Sequence, residues 1–456
     1  MNATESSPEL ADALNRFRNL FDPEEINARQ AHGANTVYTP WVVVWLLVYQ
    51  RLQGNASLNE AVDEFLRIAN PLPLKRPSVD SLPLNRRIDE DTLSANSGAY
   101  SRARTRLEAQ VADDIADHVF DTLMKATPPS WQKRRVFMID GTTSKLTPNA
   151  ALRALYPPAS NQHGLGVWPI VHWAVAHELS SGCAVRPETG AMYGPNAVGE
   201  VELAQRLLAR ILEKSVLMAD RNFGVLAMFY EATQAGHDVV TRLTEARFRS
   251  MVRQARRVGP GRWKLAWRPS RAERIKNPKW PADLQVAVTL HERPMTDGAG
   301  DEAKLWLVTT LASSGLDLAD LYRQRLHVET DISDVKVALK MEELRGHSAD
   351  MVRKELALGM VAYNLVVQTR RLAAQRIGLE PRRLSFKGVW SLVRTLLLSP
   401  NEWPLEKWAK TFDRVLRKAG QRKLPNRPGR KYRREVLPRG RKFPNRTDIT
   451  KEPTPK

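Results

Sequence analysis

The stretch "RRVFMIDGTTSKL", residues 134–146, sets four apolar residues, Val136 to Ile139, between Arg135 and Asp140. A short apolar run closed by charge at both ends reads as a strand buried on both faces, with a carboxylate at its carboxyl end. The pattern returns in "SVLMADRNF", residues 215–223, where the run ends in Asp220. Between the two, "VWPIVHWAVAHELSSGCAVRPETG" reads as two strands joined across Ser180 to Gly182, and "GEVELAQRLLARILEK" as a helix from about Gly199. "GVLAMFYEATQAG" adds a helix and "DVVTRL" a strand. The order strand, strand, strand, helix, strand, helix, strand predicts a mixed α/β sheet covered by helices.

Outward from this region the texture changes twice. Residues 1–128 read as a helical amino-terminal domain. Here "TPWVVVWLLVYQRLQGNASLNEAVDEFLRIAN" gives two helices broken at Gly54 and Asn55, and Pro71, Pro73 and Pro77 open a loop. A further helix begins near Ser97 and carries Arg102, Arg104 and Arg106 in its early turns. After the α/β stretch, 129–243, the segments "GRWKLAWRP", "QVAVTLHERP" and "KLWLVTTL" predict a β-rich insertion over 244–312. A helix from about Asp317 to Lys340 and more helix in "KELALGMVAYNLVVQTRRLAAQRI" fill 313–410. No internal repeat is present.

The chain has 456 residues, 42% of them apolar, enough to bury several cores. Its net charge of +20 is concentrated at the end, since residues from Arg414 onward hold 16 Lys/Arg and 3 acids, a net of +13. Such a segment, rich also in Pro and Gly, is expected to form an extended basic arm over 411–456. Its partner is a polyanion. Nucleic acid fits better than membrane, because the arm lacks the apolar face that docking on lipid requires. Cys183 is the only cysteine, which excludes a disulfide framework and a cysteine zinc site and implies a reducing cytosol. The opening "MNATESSPELADAL" is polar and acidic where a signal peptide would be basic and then apolar. The longest apolar run, Trp41 to Tyr49, is nine residues, against about 20 for a membrane span. His163, His172, His177 and His347 lie at no metal-ligand spacing from another His or Cys and read as core or surface residues.

One stretch of the later helix, "YRQRLHVETDISDVK", residues 322–336, packs both signs of charge beside apolar positions. At about 100° per residue, Tyr322, Arg325, Glu329 and Lys336 share a stripe roughly 60° wide, bordering the apolar stripe of Leu321, Val328, Ile332, Val335 and Leu339. His327, Asp331 and Asp334 fall well away from that border and are expected in water, where Asp331 and Asp334 would be replaceable. Alone, the stripe is compatible with an amphipathic helix whose Arg325–Glu329 pair adds a few tenths of a kcal/mol. Each strand-end aspartate alone could be a helix cap. Two strand-end carboxylates with a third on a later helix make a more demanding set, suited to a hard divalent cation and to phosphodiester chemistry.

These residues together resemble a DDE transposase of the bacterial insertion-sequence-four family, whose signature is Tyr, two residues, Arg, three residues, Glu, six residues, Lys. Tyr322, Arg325, Glu329 and Lys336 match all four positions. "MIDGTT" around Asp140, "LMADRNFG" around Asp220, "VVTRL" and the insertion before the glutamate helix are also similar, so the resemblance spans nearly the whole chain from about residue 30. It implies a ribonuclease-H-like core with Asp140, Asp220 and Glu329 as catalytic metal ligands for Mg²⁺ or Mn²⁺, two ions with DNA bound. It further implies phosphate contacts from Tyr322, Arg325 and Lys336, with Arg221 and Arg242 as secondary DNA-binding candidates. The implied activity is cleavage at insertion-sequence ends and transfer to target DNA, through a hairpin and within a dimeric synaptic complex, in the bacterial cytoplasm near the nucleoid. Arg102, Arg104 and Arg106 would help the amino-terminal domain read the element end, or form a solvated helix face. Trp263, Trp267, Trp280 and Trp306 could include one that stacks on a flipped base. A nuclease that does not join strands and a repurposed DNA-binding copy are the competing readings.

Overall fold

The computed structural model describes residues 20, 22–33, 36–68, 93–129, 131–162, 164–296, 302–312, 315–397 and 405–425. The proline loop after Ile68, His163 and the chain beyond Pro425 lie outside them. The chain divides into two units, of which Met1–Arg293 with Leu305–Leu424 holds everything argued below; Pro294–Lys304 with Pro425–Lys456 is the other.

The first helices are α1 (Pro23–Ala28), α2 (Pro40–Leu52), α3 (Leu58–Ile68), α4 (Gly98–Arg106) and α5 (Ala109–Lys125). Thr39 caps α2 with Pro40 in its first turn, the position where a missing N–H costs nothing. Gly54 and Asn55 follow it with φ of 71° and 73°, left-handed values these two residue types tolerate best. The helix expected from Ser97 is in fact two, because Leu107 turns extended with ψ 123°.

The sheet begins with β1 (Val136–Leu146). Helix α6 (Ala150–Leu155) and a small hairpin, β2 (Ser160–Asn161) and β3 (Gly164–Leu165), then precede β4 (Ile170–Glu178) and β5 (Glu188–Ala191). Helix α7 (Glu200–Leu207), β6 (Val216–Ala219), α8 (Leu226–Gln234) and β7 (Asp238–Arg242) complete the α/β run in the expected order. Next come α9 (Glu245–Val252), β8 (Arg256–Gly259), β9 (Arg262–Trp267), α10 (Arg271–Lys276), β10 (Val286–Thr296) and β11 (Glu302–Thr309). Among the described residues the strands lie in the order β5-β4-β1-β6-β7-β11-β10-β9-β8. The insertion therefore extends the central sheet, with β11 antiparallel to β7. The sheet is mixed: β1 is parallel to β6 and β6 to β7, while β4 is antiparallel to both β1 and β5.

The glutamate segment starts as α11 (Gly315–Arg323), tightens to a 3₁₀ turn over Gln324–Leu326, resumes as α12 (His327–Ser333) and widens to a π turn over Asp334–Ala338. It is not the single regular helix that the sequence predicts. A short strand, β12 (Glu343–Leu344), pairs with β1. The last helices are α13 (Ala349–Arg376), α14 (Phe386–Leu397) and α15 (Leu405–Gly420).

Helix α13, 28 residues long, is apolar or paired nearly all round, the composition of a helix at the centre of a fold. Its buried Glu355 accepts from Arg51 at 2.9 Å and from Arg104 at 3.1 Å. The neighbouring Lys354 donates to the carbonyls of Arg104 and Leu107 at 2.9 and 2.6 Å. These contacts bind the amino-terminal helices into the main unit, so the break expected at residue 128 is a change of texture and not a boundary between cores. The arm expected from 411 also starts later. Phe412, Leu416 and Ala419 are buried at helical spacing on α15, a periodicity hidden among its lysines and arginines.

Candidate active site at the carboxyl edge of the parallel strands

Register builds the site. Parallel pairing aligns Ile139 of β1 with Ala219 of β6, so the next residues, Asp140 and Asp220, stand side by side on neighbouring strands about 4.8 Å apart. Ala219 is in turn aligned with Thr241 of β7, which brings Arg242 to the same edge. Ligands in such sheets sit beyond the carboxyl ends of parallel strands. Asp140 is not at the end of β1, as the sequence suggests. The strand continues to Leu146 because its pairing with β4 persists to Lys145, and only the pairing with β6 stops before the aspartate. Asp220 accepts the Asn222 N–H at 2.8 Å and caps the 3₁₀ turn over Arg221–Phe223. The side chains of Arg221 and Arg242 are exposed.

The glutamate segment lies over this edge. Tyr322 donates its hydroxyl to the Ala219 carbonyl at 3.2 Å, and Lys336 donates to Thr142 Oγ1 at 3.1 Å. Arg325 places Nη1 3.7 Å from Asp140 Oδ2 and Nη2 3.0 Å from Glu329 Oε1, so one guanidinium ties two of the carboxylates. All four signature residues thus face the β1–β6 edge despite the irregular helix. Tyr322, expected at a phosphate, is buried, and burial pushes its hydroxyl up to about 12. Its hydrogen bond buttresses the strand end beside Asp220.

Two expectations for this segment are overturned. Asp331 is fully buried and takes a two-pronged bond from Arg382, Nη1 to Oδ1 at 2.5 Å and Nη2 to Oδ2 at 2.8 Å. Asp334 is half-buried, and loss of hydration pushes its carboxyl up to about 7, against the pull of Arg370. The wheel placed both in water because it considered one apolar stripe. The segment is covered by the sheet and by α13 and α14, so it has two buried sides. With its folded pKa raised, Asp334 penalises the fold progressively as pH rises from about 4 to 7. Asp334→Asn is expected to raise stability at pH 8 by on the order of 1 kcal/mol and to leave pH 4 unchanged, as guanidinium midpoints at the two pH values would show.

Burial pushes Asp140 up to about 6, with the Glu200 and Asp220 carboxylates adding to the rise and the Gly141 N–H and Arg325 opposing it. Glu200, the first residue of α7, was not singled out in the sequence; its one signal is an acid directly after Gly199 at a helix start. Its own carboxyl is raised by burial and then by Asp220. Carboxylates that hold one another above their ordinary range suit a hard, oxygen-seeking cation. Among the described residues no three acidic or histidine side chains converge at metal-binding distance, so the acids rim an open basin. Glu329 is its outermost member, with 60% of its side chain exposed.

The remaining candidates separate clearly. Arg104 is turned inward onto Glu355 and over the Tyr100 ring, whereas Arg102 and Arg106 are exposed on α4. Each insertion tryptophan has an aromatic partner: Trp263 and Trp306 on Phe248, Trp267 on Phe229, and Trp280 on Tyr230. Packing accounts for all four. No described helix is long and apolar enough to cross a membrane.

A mixed sheet with two aspartates on neighbouring parallel strands and a cationic, acid-bearing segment across them defines a phosphate-directed α/β protein. A family model described as "Transposase DDE domain" matches residues 131–365, just over half the chain, and the chain belongs to that family. No curated protein matches the sequence. Among solved structures the chain is similar to the one described as "Cryo-EM structure of piggyBac transposase synaptic complex with hairpin DNA", at 11% identity and a TM-score of 0.41, covering 91% of this chain and 86% of the other. That likeness is too low to argue from.

Proposed function

We propose that this protein is an active transposase that cuts double-stranded DNA at the ends of its element and joins them to a target. Its core is ribonuclease-H-like: β1, β4 and β5 run out and back on one side, and β6 and β7 lie parallel on the other. The observation that carries the reading is the register that sets Asp140 beside Asp220 with Arg325 and Lys336 over the same edge. A divalent cation held by Asp140, Asp220 and Glu329 supplies activation of the attacking oxygen and stabilisation of the leaving one. Arg325 is the group that can trade its carboxylate partners for two phosphate oxygens, because its planar fork fits either. Lys336, whose ammonium pKa is lowered by burial, adds a point charge from Thr142. Tyr322 holds the strand ends. A hairpin on the element end, two metal ions and a dimer at synapsis belong to the same proposal.

The test is incubation of purified protein and Mg²⁺ with a fragment carrying the element end, resolving nicked, hairpin and joined products. Joined product is expected. Cleavage without joining would replace the reading with a nuclease, and binding without cleavage would replace it with a DNA-binding derivative. The segment from 426 onward is proposed to add sequence-neutral phosphate contacts. Deleting residues 426–456 is expected to weaken binding to every sequence and flatten the dependence of log affinity on log salt. Lost discrimination of element ends at unchanged non-specific affinity would remove that role.

A further inference from the structure

We propose that Glu200 is a fourth acidic ligand of the Asp140–Asp220 metal site, an inference that rests on the reading of that site given above. The argument starts at Gly141, immediately after Asp140. A Cβ built on Gly141 would lie 2.3 Å from Glu200 Oε1 and within 2.9 Å of its Cγ and Cδ. The Glu200 carboxylate therefore occupies the space that any side chain at 141 would fill, and glycine is what lets a helix-borne acid approach β1 this closely. Gly141 donates its N–H to Asp140 Oδ1 at 2.9 Å, so both carboxylates meet at the same peptide.

What surrounds Glu200 gives it no other evident task. It leaves its own helix end, where Gly199 provides no side-chain cap, and turns to the sheet. Its neighbours there are the Gly141 N–H, the Asn222 side chain and the Asp220 charge. Among the described residues no Lys or Arg forms an ion pair with it, while Glu202 one turn face away pairs with Arg206 at 2.6 Å. An acid brought against two others without a cation raises the energy of the fold. Glu329 shows the opposite arrangement, since Arg325 holds it and most of its side chain faces solvent. Glu200 is thus the acid nearest the paired aspartates in the DNA-free protein, and Glu329 closes the set when Arg325 turns to phosphate.

The experiment is Mn²⁺ titration of the full chain without DNA, read by the loss of free-ion electron paramagnetic resonance signal, with melting temperatures measured in parallel. Glu200→Gln is expected to weaken Mn²⁺ binding at least fivefold and to melt, without metal, no lower than the unsubstituted protein. Gly141→Ala keeps every charge but displaces the Glu200 carboxylate, and is expected to weaken Mn²⁺ in the same direction. Asp140→Asn serves as the reference for the site itself. If Asp140→Asn loses Mn²⁺ while Glu200→Gln and Gly141→Ala bind within twofold of the unsubstituted protein, Glu200 is not a ligand and the aspartate site stands. If Asp140→Asn also binds normally, the site and the role of Glu200 fall together.

Discussion

Asp331→Ala is expected to destabilise the protein by about 3–5 kcal/mol, because it leaves the Arg382 guanidinium buried without its counter-charge. Asp331 is fully buried, and Arg382 reaches it from the 3₁₀ turn over Pro381–Arg383 while its Nε donates to the Leu179 carbonyl at 3.1 Å. One fork therefore joins the glutamate segment, the start of α14 and the turn after β4. Burial alone would raise the Asp331 carboxyl, but Arg382, then His177, holds it below the ordinary range. A folded pKa below the unfolded one contributes stability above the usual carboxylate range and loses it as pH falls through the folded value. The penalty of the substitution should accordingly be full at pH 7 and shrink in strong acid. Urea midpoints across pH check this, and a double-mutant cycle with Arg382→Met should show that the two losses are far from additive. A loss under 1 kcal/mol at pH 7 would mean the pair is not buried as described.

Asp140→Asn is expected to reduce strand cleavage by about 10³-fold or more, corresponding to roughly 4 kcal/mol of transition-state stabilisation, with no loss of stability. The second half of that statement follows from the sign of the shift. The Asp140 carboxyl titrates at about 6 in the folded protein, above its ordinary value, so its ionised form is disfavoured by folding. The penalty appears as pH rises from about 4 to 6, and asparagine removes it. Activity falling with an unchanged or higher melting temperature at pH 8 distinguishes a site residue from a structural one. Equal loss of both would make Asp140 part of the core. Gel-resolved cleavage with Mg²⁺, beside thermal melts of the same preparations, gives both readings.

Much of this was legible in the chain itself. The apolar runs ending in Asp140 and Asp220 gave the strands their places and their acids, because a run of four branched and aromatic residues between charges has few other uses. Spacing gave the set Tyr322, Arg325, Glu329 and Lys336, and all four face the β1–β6 edge. Gly54 and Asn55 marked a helix break that is present as expected. Other features were illegible for identifiable reasons. The surroundings of Asp331 come from Arg382, 51 residues on, and a wheel drawn on one helix carries no information about what covers its second side. Phe412, Leu416 and Ala419 keep helical period, but the surrounding charge concealed it. Glu200 bears no local mark at all, since its importance lies in which glycine it touches.

Sequence by itself determined the strands, the identity of the acidic and cationic groups and the family to which they belong, because apolar period and residue chemistry are local properties. Tertiary structure alone decided that Asp140 and Asp220 are neighbours and that Asp331 is inside. It also decided that Arg104 serves Glu355 and that a fourth acid stands at the site. Those outcomes depend on register and on packing between distant segments, and the energy of a charge is fixed by what lies across from it in space.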